Sequence, residues 1–242
     1  MLVIFLKLSR RILQGFDMKK ETIVLLPGYD GNGDKTFEEF IKLINKKYDI
    51  VVINYPYRNN HDRQYNLTEI VNFIDEKVKG KVTILGFSMG GFVASKFAKV
   101  FPQKVSKLIL VSSSTNPILD NNLRNILFFA NILLGNKVLA YLLTKMFMLS
   151  NIKDFPLPKP SKNFKIKFGY SVFGSLAKVM IESCKVQINT EKLAILFDDD
   201  KSFPAKVYGP ELVKQGFEVK TFETGGHAEG VDYWEKVAKT IL

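Results

Sequence analysis

From residue 21 onward, short apolar runs alternate with longer amphipathic segments, and this alternation limits the chain to few folds. Each run is almost entirely apolar, as expected of strands buried on both faces of a sheet. Such strands alternating with helices predict parallel βαβ units joined by right-handed crossovers. The predicted strands are 22–26, 50–55, 82–85, 108–111, 193–197 and 218–222. The predicted helices between and after them are 37–44, 67–78, 92–100, 205–215 and 231–241.

The alternation stops between residues 115 and 186, where helical spacing dominates. Two strongly apolar stretches, 126–134 and 138–149, and a third helix over 173–182 predict a helical cap, or lid, inserted after the strand at 108–111. A membrane span over the two apolar stretches is the alternative. Such a span over 126–149 would contain Lys137 and Lys145, and a lysine at mid-membrane costs about 2.5–3.5 kcal/mol, so we favour the lid. Residues 18–114 and 187–242 then form the α/β core.

Residues 1–17 form a separate N-terminal extension. Arranged as a helix, its basic residues lie along one stripe and its apolar residues along another. That basic amphipathic pattern is typical of a segment lying on a membrane surface. Two other interpretations are a helix packed on the core and an upstream extension, with translation starting at Met18.

The charge of the chain and its few cysteines and histidines limit the partners and the kinds of site that can be expected. The formal net charge of +11 predicts an acidic partner, either an acyl carrier protein or an anionic membrane surface. A solvated basic face on a lysine-rich protein is the alternative. Nucleic acid is not expected, because no motif for it is present. With one cysteine (Cys184) and two histidines (His61 and His227), a disulfide framework and a Cys/His zinc site are excluded, and no cofactor or metal is expected. The predicted location is cytoplasmic, with a peripheral position on the inner face of the membrane as an option.

The segment Gly86-Phe87-Ser88-Met89-Gly90-Gly91 lies between a predicted strand and a predicted helix. A bare Gly-x-Ser-x-Gly is a weak signal, but this placement makes it specific. A sharp strand-to-helix turn would force Ser88 into a strained backbone conformation, with glycines relieving the crowding. Ser88 is therefore the predicted nucleophile, at a helix N-terminus that favours negative charge. A glycine-rich turn with an incidental serine is the alternative.

A serine nucleophile needs a base, and the base needs an acid to orient it. His227 follows the last strand, in a loop at the carboxyl edge of the sheet, and is the predicted base. His61, in a polar loop, is expected to be solvated or to meet substrate. Asp198, Asp199 and Asp200 follow the fifth strand, and three adjacent acids cannot all reach one imidazole.

With these motifs in place, residues 22–242 resemble the α/β-hydrolase family, most specifically over 86–102, the nucleophile elbow and the helix behind it. The resemblance implies the α/β-hydrolase fold, a mostly parallel sheet flanked by helices. In that family the acid of the catalytic triad usually begins an Asp-x-x-x-Pro stretch. Asp200 begins one here that ends at Pro204, so the resemblance implies Asp200 as the acid.

Two backbone N–H groups are needed to bind the oxyanion. Met89, which follows the nucleophile, is expected to supply one. The resemblance implies that Tyr29 supplies the other, from the glycine-rich loop over residues 27–33. Many family members have His-Gly in this loop, whereas this chain has Pro27-Gly28, as in a subset with Leu-Pro-Gly-x-Asp-Gly. A simple tight turn explains the glycines equally well.

The motifs and the resemblance imply a serine hydrolase that cleaves a carboxylic ester or thioester with an acyl chain through an acyl-enzyme. One alternative is an acyltransferase with the same three residues and an alcohol acceptor. The other is a catalytically inactive binding protein. Apolar side chains in the lid are predicted to line an acyl site or to pack within the lid. The candidate substrate-binding residues are Phe87, Phe128, Phe129, Leu143 and Met146.

Overall fold

A computed structural model describes residues 20–58, 62–117, 135–136, 169–183, 187 and 189–242. Its six strands are β1 Glu21–Leu26, β2 Tyr48–Val52, β3 Val82–Phe87, β4 Val105–Val111, β5 Glu191–Phe197 and β6 Glu218–Phe222. They form one sheet in the order β2-β1-β3-β4-β5-β6, and every neighbouring pair is parallel. The predicted parallel sheet of an α/β fold is thereby confirmed.

Helices cover both faces of this sheet. They are α1 Gly33–Thr36, α2 Glu38–Ile44, α3 Leu67–Asp75, α4 Met89–Val100, α5 Gly174–Glu182, α6 Ala205–Lys214 and α7 Tyr233–Ile241. One face of the sheet packs on α3 to α6 and the other on α2 and α7, which gives two hydrophobic cores. Successive side chains of β1 point into these cores alternately, Val24 into the first and Leu25 into the second, because side chains alternate along a strand.

The second strand ends earlier than the sequence predicts, at Val52 instead of residue 55. The reason is that the backbone after Val52 changes its hydrogen-bond partner. The N–H of Ile53 still donates to the carbonyl of Leu25 at 3.0 Å, but the N–H of Tyr55 donates to Gly31, in the loop after β1, also at 3.0 Å. The chain therefore leaves the sheet to pair with that loop, and a helical turn over Pro56–Arg58 follows.

The insertion between β4 and β5 is described only in part. Its last helix, predicted over 173–182, is confirmed as α5. This helix contacts the core through Glu182, which accepts the N–H of Leu67 at 3.1 Å, and through Ser175, which accepts the N–H of Tyr65 at 2.9 Å. The lid helices predicted over 126–134 and 138–149 and the extension over 1–17 lie outside the described residues.

Across the described ranges, no helix combines the length and the apolar character that crossing a bilayer requires.

Candidate active site

Ser88 lies at the turn between β3 and α4, with φ 53° and ψ −126°. This confirms the strained backbone that the sequence predicts there, since an L-residue rarely adopts a positive φ. The N–H of Ser88 donates to the carbonyl of Val111 on β4 at 3.1 Å, which ties the turn to the neighbouring strand. A Cβ on Gly86 would lie 2.3 Å from the carbonyl oxygen of Gly90, so the sharp turn requires glycine at position 86.

The structure brings Ser88, His227 and Asp200 together at the carboxyl edge of the sheet. His227 Nε2 lies 2.9 Å from Ser88 Oγ, and His227 Nδ1 lies 2.9 Å from Asp200 Oδ2. Asp200 follows β5 and His227 follows β6, so three different strands position the three side chains. Two hydrogen bonds in series thus connect a hydroxyl, an imidazole and a carboxylate, an arrangement suited to proton transfer from the hydroxyl.

The Asp200 side chain is fully buried and has partners for both oxygens. Oδ1 accepts the N–H groups of Ser202 at 2.8 Å and Phe203 at 2.9 Å, while Oδ2 faces His227. Burial raises the pKa of Asp200, but the hydrogen bond and charge of His227 and the two backbone N–H groups outweigh it, and the pKa lies below its ordinary value. Asp200 is therefore a carboxylate at neutral pH.

Asp199 has a contact that the sequence did not reveal. Its two carboxylate oxygens accept the N–H groups of Gly226 at 2.8 Å and Gly225 at 3.2 Å, in the loop that leads to His227. The bond from Gly226, followed by that from Gly225, outweighs desolvation and lowers the pKa of Asp199. Asp198 is exposed, as Asp199 is, and its backbone N–H donates to the carbonyl of Phe222 on β6 at 2.9 Å. Asp199 thus holds the loop of His227 against the end of β5.

Two aromatic rings lie beside the imidazole of His227. The ring of Phe203 stacks on it at 5.8 Å between centroids with an interplanar angle of 17°, and the ring of Phe87 lies 5.1 Å away. Phe87 also packs on Trp234 and is only 8% exposed, so the contacts described for it are packing contacts. Its role in substrate binding stays a prediction. The other four candidate substrate-binding residues, as well as His61, lie outside the described residues.

The loop after β1, residues 27–33 (the β1 loop), lies directly beside Ser88. A Cβ on Gly28 would be 3.5 Å from the Cβ of Ser88. Next along the chain is Tyr29, whose ring stacks on Phe173 at 5.8 Å. Burial, followed by the charge of Asp30, raises the pKa of Tyr29, so its hydroxyl is neutral.

Met89 is the first residue of α4, so its N–H has no acceptor within the helix. Both predicted oxyanion donors, Tyr29 and Met89, thus belong to segments that adjoin Ser88.

Comparisons with known proteins agree with this architecture. A family model described as the alpha/beta hydrolase fold matches residues 21–131. Among solved structures, an esterase from Exiguobacterium antarcticum superimposes with a TM-score of 0.62 over 91% of this chain and 90% of that chain, at 20% sequence identity. The chain has the alpha/beta hydrolase fold.

Curated relatives match a shorter stretch. A pimeloyl-[acyl-carrier protein] methyl ester esterase of Photobacterium profundum is 30% identical over 94 residues, which is 38% of this chain and 37% of that protein. A 2-hydroxy-6-oxononadienedioate/2-hydroxy-6-oxononatrienedioate hydrolase of Pseudomonas putida is 28% identical over 111 residues, 41% of this chain and 39% of that protein. The chain therefore matches less than two fifths of the length of these relatives.

Proposed function

We propose that the protein is a serine hydrolase that cleaves a carboxylic ester or thioester through an acyl-enzyme. The observation that supports this best is the hydrogen-bonded series Ser88 Oγ, His227 and Asp200, with both links at 2.9 Å. A hydroxyl is a weak nucleophile unless a base removes its proton, and this base already lies within hydrogen-bond distance.

In the proposed reaction, Ser88 Oγ attacks the carbonyl carbon while His227 Nε2 accepts the hydroxyl proton. The Asp200 carboxylate stabilises the resulting imidazolium, and the N–H groups of Met89 and Tyr29 bind the oxyanion. His227 then donates its proton to the departing alcohol or thiol, which leaves an acyl group on Ser88. A water molecule, deprotonated by His227, attacks that acyl group, and His227 then donates the proton to Ser88 Oγ as the carboxylic acid departs.

The substrate is proposed to have an acyl chain. Its support is the apolar sequence of the insertion, together with relatives whose names describe a methyl ester on an acyl carrier protein. The positive charge of the insertion suits an anionic carrier of that kind or an anionic membrane surface. Product analysis with added alcohols would distinguish hydrolysis from acyl transfer, the alternative use of the same three residues.

The proposal is tested with a series of p-nitrophenyl esters of increasing chain length, alongside acyl thioesters. Ser88→Ala or His227→Ala is expected to lower kcat on the best substrate by roughly 10⁴–10⁶-fold, since either change removes a member of the triad. Ser106→Ala, at the opposite end of the sheet, serves as the control and should retain the activity of the wild type. Turnover near the wild-type rate in Ser88→Ala would rule the mechanism out.

A further inference from the structure

Two buried tyrosines lie behind the β1 loop and donate hydrogen bonds to its backbone. The hydroxyl of Tyr55 donates to the carbonyl of Pro27 at 3.2 Å, and that of Tyr57 donates to the carbonyl of Tyr29 at 2.9 Å. Both tyrosines are 0% exposed. They follow β2, at the point where the chain leaves the sheet to pair with this loop.

These bonds complete a set that holds three successive peptide groups. Between the carbonyls of Pro27 and Tyr29 lies that of Gly28, which accepts the N–H of Gly31 at 3.1 Å. The peptide group that contains the carbonyl of Gly28 also contains the N–H of Tyr29, and a peptide group is planar. Fixing this carbonyl and both of its neighbours therefore fixes the direction of the Tyr29 N–H.

Tyr55 and Tyr57 also pack against the same loop at Gly31. Gly31 has φ +69°, and a Cβ built on it would lie 2.8 Å from Cε2 of Tyr57 and 3.1 Å from Cβ of Tyr55. The carbonyl of Gly31 in turn accepts the N–H of Tyr55 at 3.0 Å. The hydroxyls of both tyrosines, the ring of Tyr57 and the backbone N–H of Tyr55 thus all lie against the β1 loop.

We infer that Tyr55 and Tyr57 are positioning residues that aim the N–H of Tyr29 at the oxyanion, an inference that rests on the proposed function. Donors that are already in place before charge develops stabilise a transition state without reorganisation. Burial raises the pKa of both phenols well above the ordinary value, so both remain protonated donors at any working pH. Neither hydroxyl needs to touch the substrate for this role.

The test is the double variant Tyr55→Phe/Tyr57→Phe, which removes both hydroxyls and keeps both rings. Misplacing an oxyanion donor should cost part of what its removal would cost. We therefore expect kcat on a p-nitrophenyl ester to fall by roughly 10–100-fold, with KM changed by less than about twofold. The affinity for an alkyl boronic acid, whose adduct with Ser88 places an oxygen in the oxyanion hole, should fall by a similar factor. Amide hydrogen exchange of residues 28–33 should become faster. If the double variant does not fold, the single variant Tyr57→Phe is measured in the same way, with a smaller effect expected.

Tyr48→Phe is the matched control. It removes the same kind of bond, from a buried tyrosine hydroxyl to a backbone carbonyl (Ile241, 3.1 Å), at the far end of β2. We expect a lower unfolding midpoint in this variant but unchanged kcat and unchanged exchange in the β1 loop.

The outcomes separate the positioning role from the proposed function. A double variant with the kcat of Tyr48→Phe would overturn the positioning role. A wild-type protein that hydrolyses no ester would overturn the proposed function instead. Loop exchange would then decide whether the tyrosines hold the loop, and unchanged exchange in the double variant would show that they do not.

Discussion

Three adjacent aspartates after β5 differ in what the turn places opposite each carboxylate. Asp200 is buried and faces His227. Asp199 and Asp198 are both exposed, and Asp199 accepts the N–H groups of Gly225 and Gly226. The sequence alone predicts a mild effect for Asp199→Asn, as for Asp198→Asn. The loop contact changes that expectation for Asp199.

We therefore expect a graded series in kcat on a single ester. Asp200→Asn should lower kcat by roughly 10⁴-fold, because the imidazole loses the carboxylate that fixes its tautomer and stabilises its charge. Asp199→Asn should lower it by about 3–10-fold, because the amide replaces one of the two acceptor oxygens with an NH2 donor that would face a backbone N–H, and small displacements are costly in an active site. Asp198→Asn is the control and should stay within about twofold of the wild type. A larger loss in Asp198→Asn than in Asp200→Asn would contradict the hydrogen-bond pattern.

Where a motif and a strand order coincide, the sequence predicts which side chains the fold brings together. Ser88 follows from its turn and His227 from the end of the last strand, while Asp200 needed the family resemblance as well. Asp199 and Tyr57 could not be predicted, because their partners are backbone groups of loops distant in sequence. No pattern of residue types shows which N–H or carbonyl a folded loop will present to them.

At the level of elements, α4 comes unusually close to the end of β1. A Cβ on Gly90 would lie 2.2 Å from the carbonyl oxygen of Leu26 and 2.6 Å from that of Pro27. This proximity sets Ser88 and Met89 beside the β1 loop. The predicted start of the helix, residue 92, missed this first turn, because glycines in a sequence indicate a loop when no packing partner is known.

Gly90→Ala is expected to destabilise the protein by about 1–3 kcal/mol, the usual cost of an added group in a filled space. In an open helix the same change would instead stabilise by about 0.5–1 kcal/mol. Gly209→Ala in α6 is the control, since the nearest atom to its Cβ would be 3.9 Å away, and it should change the free energy of unfolding by less than about 1 kcal/mol. Urea unfolding measures both, and equal stability of the two variants would contradict the close packing of α4.

Strands and helices were predictable because their apolar faces extend over whole elements, whereas their ends depend on local partners. The strand predicted to reach residue 55 ends at Val52, where Tyr55 turns to bond with the β1 loop. Tyr55 and Tyr57, for which we propose a positioning role, lie just after the point where the chain leaves the sheet.

For the molecule as a whole, charge is unevenly distributed along the chain. The net charge is +11, and residues 121–186 contain ten basic residues and two acidic ones. The basic residues are Arg124, Lys137, Lys145, Lys153, Lys159, Lys162, Lys165, Lys167, Lys178 and Lys185, and the acidic ones are Asp154 and Glu182. With Asp120 counted, the whole insertion over residues 115–186 has ten basic and three acidic residues and still contributes most of the excess, in keeping with the proposed anionic partner.

Salt should therefore weaken recognition of an anionic substrate and leave a neutral one unaffected. Attraction between exposed charges is screened over roughly 8 Å at physiological ionic strength, so KM for a carrier-bound or vesicle-borne ester should rise steeply with salt. KM for a small neutral ester should stay nearly constant. Changing Lys162, Lys165 and Lys167 to Glu should reproduce the high-salt KM at low salt.

The control for this charge reversal changes Lys79, Lys81 and Lys99, which are exposed on the core, to Glu. It alters the net charge by the same amount and should leave KM at low salt unchanged. Equal salt dependence for the two kinds of substrate would show that the charge of the insertion has no part in recognition.

Labelling of the intact protein by a fluorophosphonate decides whether Ser88 is an activated nucleophile. Mass spectrometry should find one adduct per chain, on the peptide that contains Ser88. The adduct should be absent in Ser88→Ala and should form far more slowly in His227→Ala, by roughly 10³-fold or more, because the hydroxyl then lacks its base. No adduct on the wild-type protein, an adduct on another residue, or labelling of Ser88 at the wild-type rate in His227→Ala would contradict the proposed hydrolase mechanism.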